Sequence, residues 1–196
     1  MREASNMEEL ALLPIDYMGF IFYEKSVRYT ATLPRVAIPP NIKKTGVFVN
    51  ADKAFIDNKI AQGLQAVQLH GHESPVLCQQ LKEENVEVIK AIGVAPDMDW
   101  EILAPFTEAV DYFLFDTSSP QHGGTGRSFD WRILESYPYA VPYFLSGGLD
   151  LSNIPTALAI IDERLKGLDI NSKFEIKPGL KDINKLKKAL EIIRND

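Results

Sequence analysis

The chain contains a single cysteine, Cys78. One thiol cannot form an intramolecular disulfide framework, and it suits a reducing compartment, so a cytoplasmic protein is expected. No apolar run reaches the ~20 residues that span a bilayer, and the opening residues lack a signal-peptide pattern, so no membrane association is expected. Cations do not outnumber anions. The 21 Lys and Arg stand against 27 Asp and Glu, a formal charge of −6. A surface that tracks nucleic-acid phosphates is therefore not expected. There is no low-complexity tract, no block of like charge and no Gly/Ser linker that would divide the chain. What is present is ordinary for a folded protein: 196 residues, 45% hydrophobic and 24% charged. That composition fits one domain over residues 1–196 with a sizeable core.

Apolar runs bounded by turn formers recur along the chain. They predict strands at residues 17–22, 45–49, 66–69, 87–92, 112–115, 142–145 and 168–170. Helical spacing predicts helices at 6–13 (capped by Ser5 or Asn6), 52–62, 75–84, 98–107, 153–165 and 183–194, with a shorter helix starting at 130–134. Pro75 suits a first helical turn, whereas Pro105 should shorten or kink its helix. Strand–helix alternation throughout argues an α/β fold with a parallel sheet. Two closures compete: an open doubly wound sheet and a (β/α)8 barrel. The seven strands are one short of a barrel, and the chain opens on a helix, as in a barrel without its first strand.

Chemistry is sought at strand C-terminal ends. Asp116 follows the Tyr112-Phe-Leu-Phe115 run and precedes Gln121-His-Gly-Gly-Thr-Gly126. A carboxylate there can be catalytic or can merely cap a loop, and position alone leaves both open. Ser146-Gly-Gly148 and Asn171-Ser-Lys173 follow the last two strands. Loops at those two places offer close backbone approach and unpaired N–H groups, which suit phosphate. Arg28 can fork onto a carboxylate or phosphate, or simply be solvated. His70, His72 and Glu73 invite a metal reading, but no fuller ligand set stands beside them, so no metal is expected. Gln121-His-Gly-Gly-Thr-Gly126 lacks dinucleotide spacing. Cys78 lies within a helical pattern and reads as packing.

Taken together, several stretches resemble phosphoribosylanthranilate isomerase, the (β/α)8 enzyme of tryptophan biosynthesis. They are Asp16-Tyr-Met-Gly-Phe-Ile-Phe22, Lys25-Ser-Val-Arg-Tyr29, Gly46-Val-Phe-Val-Asn50, Val67-Gln-Leu-His-Gly71 with Glu73, and Phe115-Asp-Thr117. Gly123-Gly-Thr-Gly126 with Phe129-Asp-Trp131, Ser146-Gly-Gly-Leu149 and Pro178-Gly-Leu-Lys-Asp182 complete the ordered set. The resemblance implies an Amadori rearrangement of a phosphoribosyl small molecule without cofactor or metal, by a monomer or homodimer. It implies Asp116 as general acid, Arg28 as the holder of the anthranilate carboxylate, and Gly147, Gly148, Asn171 and Ser172 in the phosphate loops. Lys173-Phe174 departs from the family's usual Gly-Val.

The family opens with a strand of the type Lys-Val-Cys-Gly-Met-Arg, whose Cys is the general base. Here that segment is not seen, and Cys78 aligns with a helix. A clipped start and a gene product that lacks strand and base are the two explanations. Either way this form is expected to be weakly stable, prone to associate and weakly active. Two other classes stay open: a catalytically impaired phosphate-binding barrel, and another sugar-phosphate enzyme. An aldolase would want an activated lysine at a strand end, and Lys90 carries no such mark.

Overall fold

A computed structural model describes residues 1–117 and 129–194. The Gly-rich motif at 121–126 lies outside the described residues. Helix α1 (Ala4–Leu10) precedes strand β1 (Tyr17–Ile21). Then come β2 (Lys43–Phe48), α2 (Lys53–Ala61), β3 (Ala66–Leu69), α3 (Pro75–Lys82) and β4 (Glu87–Val94). A 3-10 segment (Trp100–Phe106) leads to β5 (Tyr112–Thr117), and another (Trp131–Ser136) to β6 (Tyr143–Leu145). Helix α4 (Ile154–Leu158), β7 (Leu165–Leu168), the hairpin β8 (Glu175–Lys177) with β9 (Leu180–Lys181), and α5 (Ile183–Arg194) finish the chain.

The seven strands β1 to β7 pair in sequence order, every pair parallel. A doubly wound sheet reverses its strand order at a switch point. Sequential order with covering helices is the barrel pattern instead. The sheet curls: Tyr17 of β1 meets Phe144 of β6 edge to face, with ring centroids 5.4 Å apart. Ala66, Ile89, Ala91 and Leu114 fill the interior between them. Among the described residues, β1 and β7 are the two ends of the strand order, and Ile21 of β1 makes an isolated parallel bridge to Tyr29 outside the sheet.

Sequence spacing places most elements, with instructive departures. The first helix starts two residues early and has no side-chain cap. Asn6 instead bridges to β9: its Nδ2 donates to the Lys181 carbonyl at 3.0 Å, and the Lys181 N–H donates to its Oδ1 at 2.8 Å. Pro105 has no N–H and clashes with a full α-turn, so the segment before β5 closes as 3-10. The helix expected over 153–165 stops at Leu158. There Asp162 accepts the Arg164 N–H at 2.9 Å and pairs with its guanidinium at 2.8 Å, a local turn that competes with helix. The strand therefore begins at Leu165 rather than at Leu168. β5 runs on to Thr117 because Gly93 and Val94 of β4 pair with Asp116 and Thr117.

Short 3-10 segments cover β5 and β6 poorly, and aromatic bulk makes up the difference. Trp100, Phe115, Tyr137 and Tyr143 form a contact set with centroids 5.0–5.7 Å apart. Next to it, the ends of β3 and β4 are tied by a buried ion pair. Lys90 Nζ lies 3.1 Å from Glu73 Oε2, and their side chains are 4% and 1% exposed. The ammonium also donates to the carbonyls of Leu69, Gly71 and Ala91. Glu73 in turn accepts from the N–H groups of Asn50 and Gly71. Removing one member leaves the other charge buried without compensation. Lys90→Met is therefore expected to lower unfolding free energy by about 3–5 kcal/mol, read by urea denaturation at pH 7. An unchanged midpoint would show that the pair contributes nothing.

Candidate active site

Strand alternation decides which side chains enter the barrel. In β5, Tyr112, Leu114 and Asp116 share one face, so Asp116 points inward above two interior residues. The strand-end positions of β3 and β7 bring His70 and Asp169 toward it. These residues line a cavity of about 1030 Å³. Arg28, Gly147, Gly148, Asn171 and Ser172 line the same cavity.

Asp116 is buried, with 8% of its surface exposed. Its Oδ1 accepts the Thr117 N–H at 2.7 Å, and its Oδ2 lies 3.5 Å from His70 Nε2. Gly147 passes directly over it. A Cβ on Gly147 would fall 2.8 Å from Asp116 Oδ1 and 2.4 Å from Thr117 Oγ1, and its φ is +89°. Both facts require glycine there. Gly148 follows with φ +64°, and its carbonyl accepts from Asn153 Nδ2 at 3.1 Å. Two successive left-handed residues turn the backbone sharply between β6 and α4.

Arg28, in the loop after β1, is not simply solvated. Its Nε and Nη2 both reach Glu175 Oε2 at 2.8 Å. That contact occupies one edge of the guanidinium and leaves the Nη1 side toward further acceptors. Lys181 approaches the other Glu175 oxygen at 3.6 Å and donates to Asn171 Oδ1 at 2.6 Å and Asn171 O at 3.2 Å. Burial lowers the lysine's hold on its proton, against the pull of Glu175 and Asp169. After Asn171, residues Ser172–Phe174 form a 3-10 turn with Phe174 buried beneath. Lys173 is not among the positive-φ residues, so Lys in place of the usual Gly imposes no backbone strain.

The remaining candidates separate. His70 turns to Asp116 while Glu73 turns to Lys90, so the His70/His72/Glu73 run does not converge on one point. Cys78 is fully buried in α3, and burial pushes its thiol up to about 11, unsuited to nucleophilic work. Sequence reasoning missed Asp169, Gln68, Glu175 and Lys181. Asp169 stands at a strand end just as Asp116 does, and that rule would have found it. The Glu175–Lys181 pair needed the β8–β9 hairpin, which pairs Glu175 with Lys181. Burial raises the Asp169 carboxyl, with Lys181 opposing and Asp116 adding to the rise.

Known proteins match the chain along its length. The family model described as PRAI, N-(5'phosphoribosyl)anthranilate (PRA) isomerase, matches residues 1–192. A curated N-(5'-phosphoribosyl)anthranilate isomerase from Parabacteroides distasonis is 41% identical over 199 residues, covering 98% of this chain and 90% of that protein. The solved phosphoribosyl anthranilate isomerase of Thermotoga maritima aligns with a TM-score of 0.82 at 31% identity, over 99% of this chain and 95% of that one. Another solved phosphoribosyl anthranilate isomerase, in complex with reduced 1-(o-carboxyphenylamino)-1-deoxyribulose 5-phosphate, aligns with a TM-score of 0.80 at 30% identity, over 100% and 96%.

The raised Asp169 carboxyl has a signed consequence. Between its ordinary value near ~3.9 and its folded value, the folded state binds more protons than the unfolded one. Stability from this group is thus present at low pH and lost as pH rises through that window. Asp169→Asn is expected to be more stable than the parent at pH 7, the advantage vanishing below about pH 4. Thermal unfolding across pH checks this, and an advantage constant with pH would contradict it.

Proposed function

The chain belongs to the N-(5'-phosphoribosyl)anthranilate isomerase family, and on that premise we propose that Asp116 is its general acid. The activity is that of the family, isomerisation of N-(5'-phosphoribosyl)anthranilate in tryptophan biosynthesis. Asp116 protonates the ribose ring oxygen, the C1′–O bond breaks, and a Schiff base forms with the anthranilate nitrogen. A general base then takes the C2′ proton, and the enolamine collapses to the ketone. Arg28 holds the anthranilate carboxylate with the guanidinium edge that Glu175 leaves over. Backbone N–H groups of Gly147, Gly148, Asn171 and Ser172 hold the 5′-phosphate.

One observation carries this assignment: Gly147, a phosphate-loop residue, lies in van der Waals reach of the Asp116 carboxylate. A phosphate held by that loop would set the sugar ring beside the acid, and positioning of that kind lowers the barrier.

The finer reading of the fold is an eighth parallel strand between β1 and β7, of the family's Lys-Val-Cys-Gly-Met-Arg type, whose Cys supplies the base. The place of β1 and β7 at the two ends of the strand order favours it. It also favours a second reading for the 196-residue form, a catalytically impaired phosphate-binding barrel. Complementation of a tryptophan auxotroph lacking this isomerase separates the two. Growth only with an upstream-extended form means the strand is needed, growth with the short form means another base serves, and growth with neither favours the impaired barrel. In the complementing form, Asp116→Asn is expected to lower kcat by roughly 10²–10⁴-fold, with KM changed by less than about threefold. Arg28→Lys, which keeps a charge for Glu175 but loses the fork, is expected to raise KM by roughly ten- to a hundredfold with kcat nearly unchanged. Equal losses in kcat and KM for both variants would overturn these roles.

A further inference from the structure

The acid stands at the end of a row of polar side chains in the cavity: Gln68, His70 and Asp116. Gln68 is buried at 9% exposure, and its amide oxygen turns to His70. That oxygen lies 3.0 Å from His70 Nδ1. A carbonyl oxygen only accepts, so Nδ1 carries the hydrogen. The other ring nitrogen, Nε2, is then left with one exchangeable proton site, and it faces Asp116 Oδ2 at 3.5 Å.

We propose that His70 is a positioning residue for the acid: Gln68 locks its tautomer, and its Nε2 and Asp116 Oδ2 share a single proton that Asp116 delivers. The proposal deepens the isomerase reading and rests on it. An isolated carboxyl has an ordinary value near ~3.9 and is almost wholly ionised at neutral pH, unfit to donate. A proton shared between Oδ2 and Nε2 has two acceptors facing it at the site. When Oδ2–H gives its proton to the ring oxygen, the C1′–O bonding pair becomes the hydroxyl's lone pair, and the Asp116–His70 unit is left one proton short. Solvent restores that proton after product leaves. The 3.5 Å separation is longer than a formed hydrogen bond, and such contacts tighten in the liganded site. Asp116 is the charged group nearest the ring, and the groups that act on Asp169 are Lys181 on β9, Asp116 on β5 and His70 itself. Lys90 and Glu73 are paired with each other behind the Gly71 backbone.

Two measurements test it. The chain has three histidines, so 15N-histidine labelling with single replacements assigns His70. The neutral ring is expected in the Nδ1–H form, reverting to a mixture in Gln68→Leu. In Asp116→Asn the Nε2 proton of the ring is expected to be lost at lower pH than in the parent. Neither reading needs turnover, so failure here is distinguishable from failure of the isomerase assignment. In the active form, His70→Gln is expected to move the basic limb of the kcat profile down by about one pH unit or more, with KM within about twofold, recovering toward acid pH. A neutral ring in the Nε2–H form, a titration indifferent to Asp116→Asn, or an equal loss of rate at all pH would each overturn it.

Discussion

The close approach of Gly147 to Asp116 organises the rest of the site. The β6–α4 backbone crosses the end of β5 with no room for a side chain, since an added Cβ would lie 2.8 Å from the carboxylate oxygen. Loop and acid therefore cannot move independently. The proximity depends on β5 and β6 being hydrogen-bonded neighbours, with Phe113 to Phe115 paired to Tyr143 to Leu145. It depends equally on β5 continuing to Thr117 by pairing with β4. A shift of β5 by one residue would turn Asp116 outward and put Phe115 into the cavity. The aromatic packing of Phe115 with Trp100 and Tyr137 opposes that shift.

Much of this was legible in the sequence, and the reasons are local. Tyr112-Phe-Leu-Phe115 is a dense apolar run, so its strand and the carboxylate after it stand out. The last helix, Ile183–Arg194, shows a clear apolar stripe and was placed to the residue. Legibility failed where side chains compete with backbone periodicity. Ala-Ile-Ile-Asp at 159–162 continues a helical pattern, yet Asp162 accepts from Arg164 and from the Tyr143 hydroxyl and ends it. Over 98–107 a helix shortened or kinked by Pro105 was expected, and the segment closes as 3-10 over Trp100–Phe106. The charge pairs were the least legible of all. Glu175 lies far from Arg28 in sequence, and no periodicity links residues that only the closing sheet brings together.

Closure also explains why a chain of net charge −6 presents cations to its cavity. Arg28 and Lys181 converge on the one carboxylate of Glu175. The Asp169 carboxylate also acts on Lys181, so these cations stand among carboxylates in the cavity and not as a separate positive patch.

Burial strains that arrangement in a directed way. Lys181 holds its proton less firmly and Asp169 more firmly than in water, and in both cases loss of hydration is the first cause. Each group is charged at a cost that a suitable ligand would offset. An anion arriving beside Asn171, to which Lys181 donates twice, would give the ammonium a second partner and favour its charged form. An acidic group brought near Asp169 would favour the neutral carboxyl instead. Lys181 and Asp169 lie close enough to act on each other, so these two responses are coupled: whatever favours the charged ammonium bears on the carboxyl beside it.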